Sequence, residues 1–187
     1  MNIILFGPPG AGKGTQSKYL VHKLNNFQVS TGDILRQEIK KNSNIGQQIT
    51  NNMNEGKFVS DEIVNALIKK LIDEPHKKDK LIFDGYPRSL SQAKYLDFLL
   101  DNSNQKIDHI FFLNVNKNTI IERIEKRKIL ENRSDDNKDT ILNRYDTYME
   151  TTRPVLDYYS KNLNFHEING TQEIDQITKE IEAFIDV

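Results

Sequence analysis

The chain has 187 residues, with 26 Lys+Arg against 27 Asp+Glu, a formal net charge of −1 and no Cys or Trp. A chain of this length can bury roughly 70% of its unfolded surface without a disulfide or metal, and the missing cysteines exclude disulfide frameworks, Cys-ligated zinc and thiol nucleophiles. No apolar run reaches the ~18 residues of a transmembrane helix, no basic leader precedes a cleavage site, and the balanced charge gives no general reason to bind nucleic acid or anionic lipid.

A cytoplasmic protein with no nucleic-acid or membrane partner is therefore expected. Among the basic residues 19 are Lys and only 7 are Arg, so the places where arginine is spent carry information.

Residues 2–6 form an apolar run that stops at Gly7-Pro8-Pro9-Gly10, which predicts a buried strand leading into a loop. A helical pattern follows over 15–24, then a short strand over 27–29. Residues 31–71 hold about three helical segments with no strand between them, broken at 42–44 and at Gly56, and predict a small helical insert. Ser60 is expected to cap the third of these, with Asp61 and Glu62 in its first turn. Apolar runs over 81–83, 110–115 and 165–168 predict further strands, and patterns over 89–100, 119–128, 140–159 and 173–185 predict further helices. In the first of those helices Leu90, Ala93, Leu96 and Leu100 recur at helical spacing. Residues 128–139 are polar and charged with little to bury, and are expected to form a mobile flap. Strands alternating with helices imply βαβ units, hence an α/β fold with five buried strands in a parallel sheet.

Gly7-Pro-Pro-Gly10-Ala11-Gly12-Lys13-Gly14-Thr15 follows a predicted strand and opens a predicted helix, the context that a Walker A phosphate loop requires. The glycines let backbone N–H groups turn inward around phosphate oxygens, and the helix N-terminus adds its dipole. Lys13 supplies a compact positive charge, and Thr15 is a candidate for the phosphate or Mg²⁺ shell, although Gly14 is inserted between them relative to the general motif. Asp84 ends the strand over 81–83 and would lie at the carboxyl edge of the sheet, where ligands gather in open α/β folds. The four His residues lack metal-ligand spacing.

From this loop onward the chain resembles the nucleoside monophosphate kinases, and among them most closely the adenylate kinases. The resemblance is carried by GPPGAGKGTQ (7–16), STGDILR (30–36), EGKFVSDEIV (55–64), FDGYPRSLSQA (83–93), ERIEKR (122–127), NRSDDN (132–137) with Arg144, and NGTQ (169–172). It implies a three-layer P-loop NTPase-type fold: a core over 1–29, 60–123 and 137–187, a monophosphate-binding helical insert over 30–59 and a short lid over 124–136. It further implies that Gly10, Ala11, Gly12, Lys13, Gly14, Thr15, Arg123, Arg127 and Gln172 meet ATP. Thr31, Gly32, Arg36, Lys57, Val59, Gly85, Arg88, Gln92, Arg133 and Arg144 would meet AMP, with Gln92 reading the adenine edge. Lys13, Asp84, Arg88, Arg123, Arg127, Arg133 and Arg144 would serve the transfer itself. Thr15 and Asp84 would serve Mg²⁺ through water, and the lid acids Asp135 and Asp136 would orient the arginines. With no Cys, the short lid cannot carry the zinc of some long-lid relatives.

The expected reaction is ATP + AMP = 2 ADP with Mg²⁺, in a monomer. It requires charge neutralised on phosphate oxygens, an in-line approach and exclusion of water, rather than a general base. Planar guanidinium groups suit that task better than ammonium. Six of the seven arginines, all but Arg153, fall on the implied phosphate positions. Two other readings stand beside this one: a UMP/CMP kinase on the same scaffold, against which Thr31 and Gln92 argue, and a non-catalytic nucleotide sensor. A nucleic-acid-stimulated ATPase is disfavoured by the absence of a basic patch.

Overall fold

Ile3-Ile4-Leu5-Phe6 is apolar at every position, and a strand with no polar face must be covered on both sides. In the computed structural model, which describes residues 1–55, 57–131 and 138–185, it is the central strand β1 (Ile3–Phe6) of a five-stranded parallel sheet in the order β2-β3-β1-β4-β5. The other strands are β2 (Phe27–Ser30), β3 (Leu81–Asp84), β4 (His109–Asn114) and β5 (Phe165–Asn169). The helices in chain order are α1 (Lys13–Leu24), α2 (Thr31–Lys40), α3 (Asn44–Asn54), α4 (Asp61–Ile72), α5 (Leu90–Asn102), α6 (Lys117–Glu131), α7 (Lys138–Thr147), α8 (Arg153–Tyr159) and α9 (Ile174–Ile185). Gly56, Arg133, Asp135 and Asp136 lie outside the described residues, as does the 132–137 part of the expected lid.

The two-residue period of β1 divides the core. Ile4 and Phe6 join one buried cluster with Val29, Phe83, Leu96, Val155 and Tyr159, covered by α3, α4, α5 and α8. Ile3 and Leu5 join the other with Leu20, Phe111, Ile124, Ile177 and Ile181, covered by α1, α6 and α9. Each such side chain stabilises the fold by about 1.5–3 kcal/mol on burial. The result is the α/β fold with a parallel sheet expected from the alternation of elements, in the three layers that the resemblance implies.

Three local expectations need correction. The five strands are not all buried: in the edge strands β2 and β5 only Val29 and Ile168 are fully covered, because an edge strand has a neighbour on one side alone. The single helix expected over 140–159 is interrupted by a π turn, Tyr148–Thr152, between α7 and α8. Pro154 near the start of α8 explains this, since its ring cannot accommodate the carbonyl four residues back in regular α geometry. Ser60 does occupy the cap position of α4, but its side chain makes no capping bond. The residue is exposed, so solvent can reach the first-turn donors that a side chain would otherwise satisfy. Ser30, Ser43 and Ser89 do cap α2, α3 and α5, accepting from Asp33, Gly46 and Gln92 N–H groups.

The chain leaves β1 toward the α1 face and leaves β3 toward the α5 face, on opposite sides of the sheet. Adjacent parallel strands whose connections part in this way open a crevice at their carboxyl ends. The 7–12 loop after β1 and the 85–89 loop after β3 border that crevice. No helix of the described residues is long and apolar enough to cross a membrane.

Candidate active site

A cavity of about 720 Å³ lies at this crevice. Among the described residues nine cationic side chains line it, Lys13, Lys18, Arg36, Lys57, Arg88, Arg123, Lys126, Arg127 and Arg144, against the two carboxylates Asp33 and Asp84. A chain with net charge −1 has thus placed a strong local excess of positive charge in one concave surface.

The phosphate loop forms one wall. Its backbone turns back on itself through Ala11 N–H to Pro8 O (3.1 Å), and Thr15 and Gln16 N–H groups both donate to Gly12 O as α1 begins. Gly10 must be glycine here: its φ is +82°, and a Cβ would stand 2.8 Å from Ile124 Cγ1 of α6. The Lys13 ammonium donates to Gly7 O (2.7 Å) and Pro8 O (3.0 Å), so the loop's own carbonyls hold it. Burial pushes its pKa down to about 8; Asp84 opposes that shift, while Arg88, Arg144 and Arg127 add to it. An anion arriving in the cavity would reverse the penalty by pairing with the ammonium.

The facing wall is built on the β3 edge. Asp84 pairs in register with Leu5 of β1 and Ser30 of β2, and its Oδ2 accepts from Gln28 Nε2 at 3.1 Å. Gly85 has φ +76°, which lets the chain turn so that Arg88 folds back over it; a Cβ there would meet an Arg88 guanidinium nitrogen at 2.8 Å. The Gly85 carbonyl then uses both lone pairs, accepting from Arg88 Nε and Thr31 Oγ1, each at 2.7 Å. The peptide Tyr86–Pro87 is cis. Burial and Arg144 push the Arg88 pKa down to about 10, with Asp84 opposing and Arg36 adding a smaller repulsion. Its guanidinium carbon also sits 5.4 Å from the Phe58 ring centroid.

The remaining cations come from separate elements. Arg36 on α2 pairs with Asp33 at 2.6 Å, one turn away. Arg123 on α6 donates to Gly170 O (2.8 Å) and Ala11 O (3.3 Å), tying the phosphate loop to the end of β5. Arg127 lies one turn further along α6, and Arg144 lies on α7. Of the implied site residues, Gly10, Ala11, Gly12, Gly14, Thr15, Gly32, Lys57 and Gly85 line the same cavity.

Thr31, Val59, Gln92 and Gln172 do not line it. Thr31 and Val59 are buried beside it; the Gln92 carboxamide is held between Asp61 and the Arg88 N–H; Gln172 bonds Glu180 at 3.0 Å. Arg133, Asp135 and Asp136 cannot be placed, since they fall outside the described residues.

Sequence reasoning missed Gln28, Met53, Phe58, Tyr148 and Thr152, which also line the cavity. Gln28 had a readable signal, because it precedes Ser30 by two positions on β2 and so shares its face of the sheet. Phe58, Met53 and Tyr148 had none, because apolar residues on helices and loops read simply as core.

No group of three His, Asp or Glu side chains among the described residues could hold a metal ion unaided. Asp84 and the exposed Thr15 hydroxyl, both lining the cavity, do match the sparse protein ligation of Mg²⁺, which keeps several waters and takes phosphate oxygens.

The family model described as Adenylate kinase matches residues 5–164. The chain is 46% identical to an adenylate kinase of Pelagibacter ubique, with all of both chains aligned. It is 42% identical to an adenylate kinase of Mycoplasma capricolum over 91% of this chain and 92% of that one. It is 36% identical to one from Methanocella arvoryzae over 99% and 98% of the two chains.

Proposed function

This chain belongs to the adenylate kinase family, and from that premise we propose that its cationic cavity carries reversible phosphoryl transfer, ATP + AMP = 2 ADP. The observation that carries the reading is the nine cations that, among the described residues, gather around one crevice from α1, α2, α6, α7 and the loops after α3 and β3. A transferring phosphoryl group spreads charge over its equatorial oxygens, and fixed cations in a water-poor site stabilise that charge without reorganising.

The phosphate loop and Lys13 would hold the outer phosphates of ATP, with Arg123 and Arg127 on the α6 side. Arg36, Arg88 and Arg144 would hold the AMP phosphate, with Gly32, Lys57 and Gly85 framing the nucleotide and Thr31, Val59 and Gln92 behind them. Gln172 would border the ATP base. Arg88 has Arg144, Arg36 and Asp84 as its electrostatic neighbours and would bridge donor and acceptor. The acceptor phosphate is already ionised, so no general base is required, and none of the four His residues lines the cavity.

Mg²⁺ would lie beside Asp84 and Thr15; when bound it neutralises phosphate charge. Asp84 is held in place for this by Gln28. Residues 30–59 would act as the monophosphate-binding insert and 124–136, with Arg133, Asp135 and Asp136, as the lid over a core of 1–29, 60–123 and 137–187. The working form would be a cytoplasmic monomer.

Neither a UMP/CMP kinase nor a non-catalytic sensor is favoured by the family. The deciding experiment is coupled ADP production with MgATP and AMP, CMP or UMP in turn. AMP is expected to be used at least tenfold more efficiently than either pyrimidine, about what one well-placed base contact supplies. Equal or greater use of CMP or UMP would overturn the assignment, and tight ATP binding without transfer would favour the sensor.

A further inference from the structure

Asp61 stands in the first turn of α4, outside the cavity, yet it is joined to the start of α5 by several bonds. Its Oδ1 accepts from Gln92 Nε2 at 2.7 Å, and its Oδ2 accepts from Ser89 Oγ at 3.0 Å and from Ser91 Oγ. Ser89 Oγ in turn accepts the Gln92 N–H as the cap of α5, which fixes where the glutamine side chain starts. At the far end, Gln92 Oε1 accepts the Arg88 backbone N–H at 2.7 Å.

The two ends of a carboxamide have nearly the same shape, and their identity follows from what they bond. Here that identity has one answer. A carboxylate only accepts and a backbone N–H only donates, so the nitrogen must face Asp61 and the oxygen must face Arg88. Reversing the amide would set a carbonyl oxygen against a carboxylate and an NH₂ against an N–H. Each end keeps one further valence, a second N–H and a second lone pair.

We infer that Asp61 is a positioning residue for base selection, fixing the donor and acceptor ends of the Gln92 carboxamide so that the monophosphate pocket takes a 6-aminopurine and rejects a 6-oxopurine. Asp61 has this role only if Gln92 reads the base, as proposed above. A 6-aminopurine presents an acceptor ring nitrogen beside a donor amino group. A 6-oxopurine presents the reverse order, a donor ring N–H beside an acceptor oxygen. A freely turning carboxamide meets either order by a half-turn. One fixed by a carboxylate and a backbone N–H meets only one of them, and the family's acceptor nucleotide sets which. Selectivity thus comes from rigidity behind the contact as well as from the contact itself.

The test uses the full chain with Asp61→Leu, which keeps the branched shape and removes both acceptor oxygens, and Asp61→Ala, with kcat and KM measured for AMP and IMP at saturating MgATP. The wild type is expected to prefer AMP. Both variants are expected to lower the AMP-to-IMP ratio of kcat/KM by about tenfold, the scale of one misplaced base contact. The change should come through the KM for AMP, with kcat within about threefold and the KM for ATP unmoved. In a Gln92→Ala background, Asp61→Leu should move the ratio no further, since the two act as one unit. If Asp61→Ala does not fold, Asp61→Leu carries the test.

A selective wild type whose ratio stays within twofold in Asp61→Leu overturns the inference and leaves the function standing. So does a variant in which kcat falls and the KM values for AMP, IMP and ATP rise together, as a purely structural contact would give. A wild type with no preference for AMP overturns the reading of Gln92 itself, and the role of Asp61 with it.

Discussion

Arg88→Ala is expected to lower turnover at saturating ATP and AMP by about 10²–10³-fold, the loss that follows removal of one preorganised charge from a transition state. The reason lies in where the guanidinium is held. It is drawn back over Gly85 by a 2.7 Å bond, beside Asp84, and burial, joined by repulsion from Arg144 and Arg36, pushes its pKa down to about 10. The folded protein gains little from crowding cations in this way, so the arrangement makes sense only when an anion fills the space between them. Removing the side chain leaves the Gly85 carbonyl bonded to Thr31, so the fold should persist. Single-turnover and steady-state kinetics, with the thermal midpoint as a control, measure the effect. A fall of less than about threefold in an intact variant would show that Arg88 does not stabilise the transferring group.

Lys13→Met is the second large effect. Methionine keeps most of the stem and removes the ammonium that Gly7 and Pro8 carbonyls now hold. The expected loss in kcat/KM for ATP is about 10²–10³-fold, carried by a weaker ground state as well as a weaker transition state. A pH signature accompanies it. Burial lowers the Lys13 pKa to about 8, so the free protein loses this charge as pH rises through that value. Wild-type ATP affinity should therefore fall on the alkaline side of about 8, and Lys13→Met should lack that limb. Affinity that is flat across this range in the wild type, or an unchanged limb in the variant, would show that another group titrates.

The fold was legible in the sequence wherever one residue pattern had a single physical solution. The uninterrupted apolar run of β1 demanded cover on both faces, and the alternation of short strands with amphipathic helices demanded crossovers, hence a parallel sheet. The glycines of the phosphate loop and the acidic residue ending β3 were legible because each marks a backbone requirement or a strand end. Legibility failed where the outcome depended on neighbours far away in the chain. The π turn before Pro154 reads locally as continuous helix. Asp61 reads as an ordinary first-turn acid, and only the approach of α5 reveals that it bonds Ser89, Ser91 and Gln92. Gln92 reads by motif as a base contact, whereas its two bonds within the protein are visible only in three dimensions. Arginine is scarce, and five of the six arginines among the described residues, Arg36, Arg88, Arg123, Arg127 and Arg144, line the cavity.

One cavity that holds two nucleotides so that a phosphoryl group passes between them should also run the reaction from ADP alone. Incubating the protein with ADP and Mg²⁺ alone, and following the nucleotides by phosphorus NMR, addresses this most directly. The expected result is appearance of ATP and AMP in equal amounts until an equilibrium mixture is reached, with no inorganic phosphate released. Inorganic phosphate appearing in place of ATP, or ADP remaining unchanged, would contradict it.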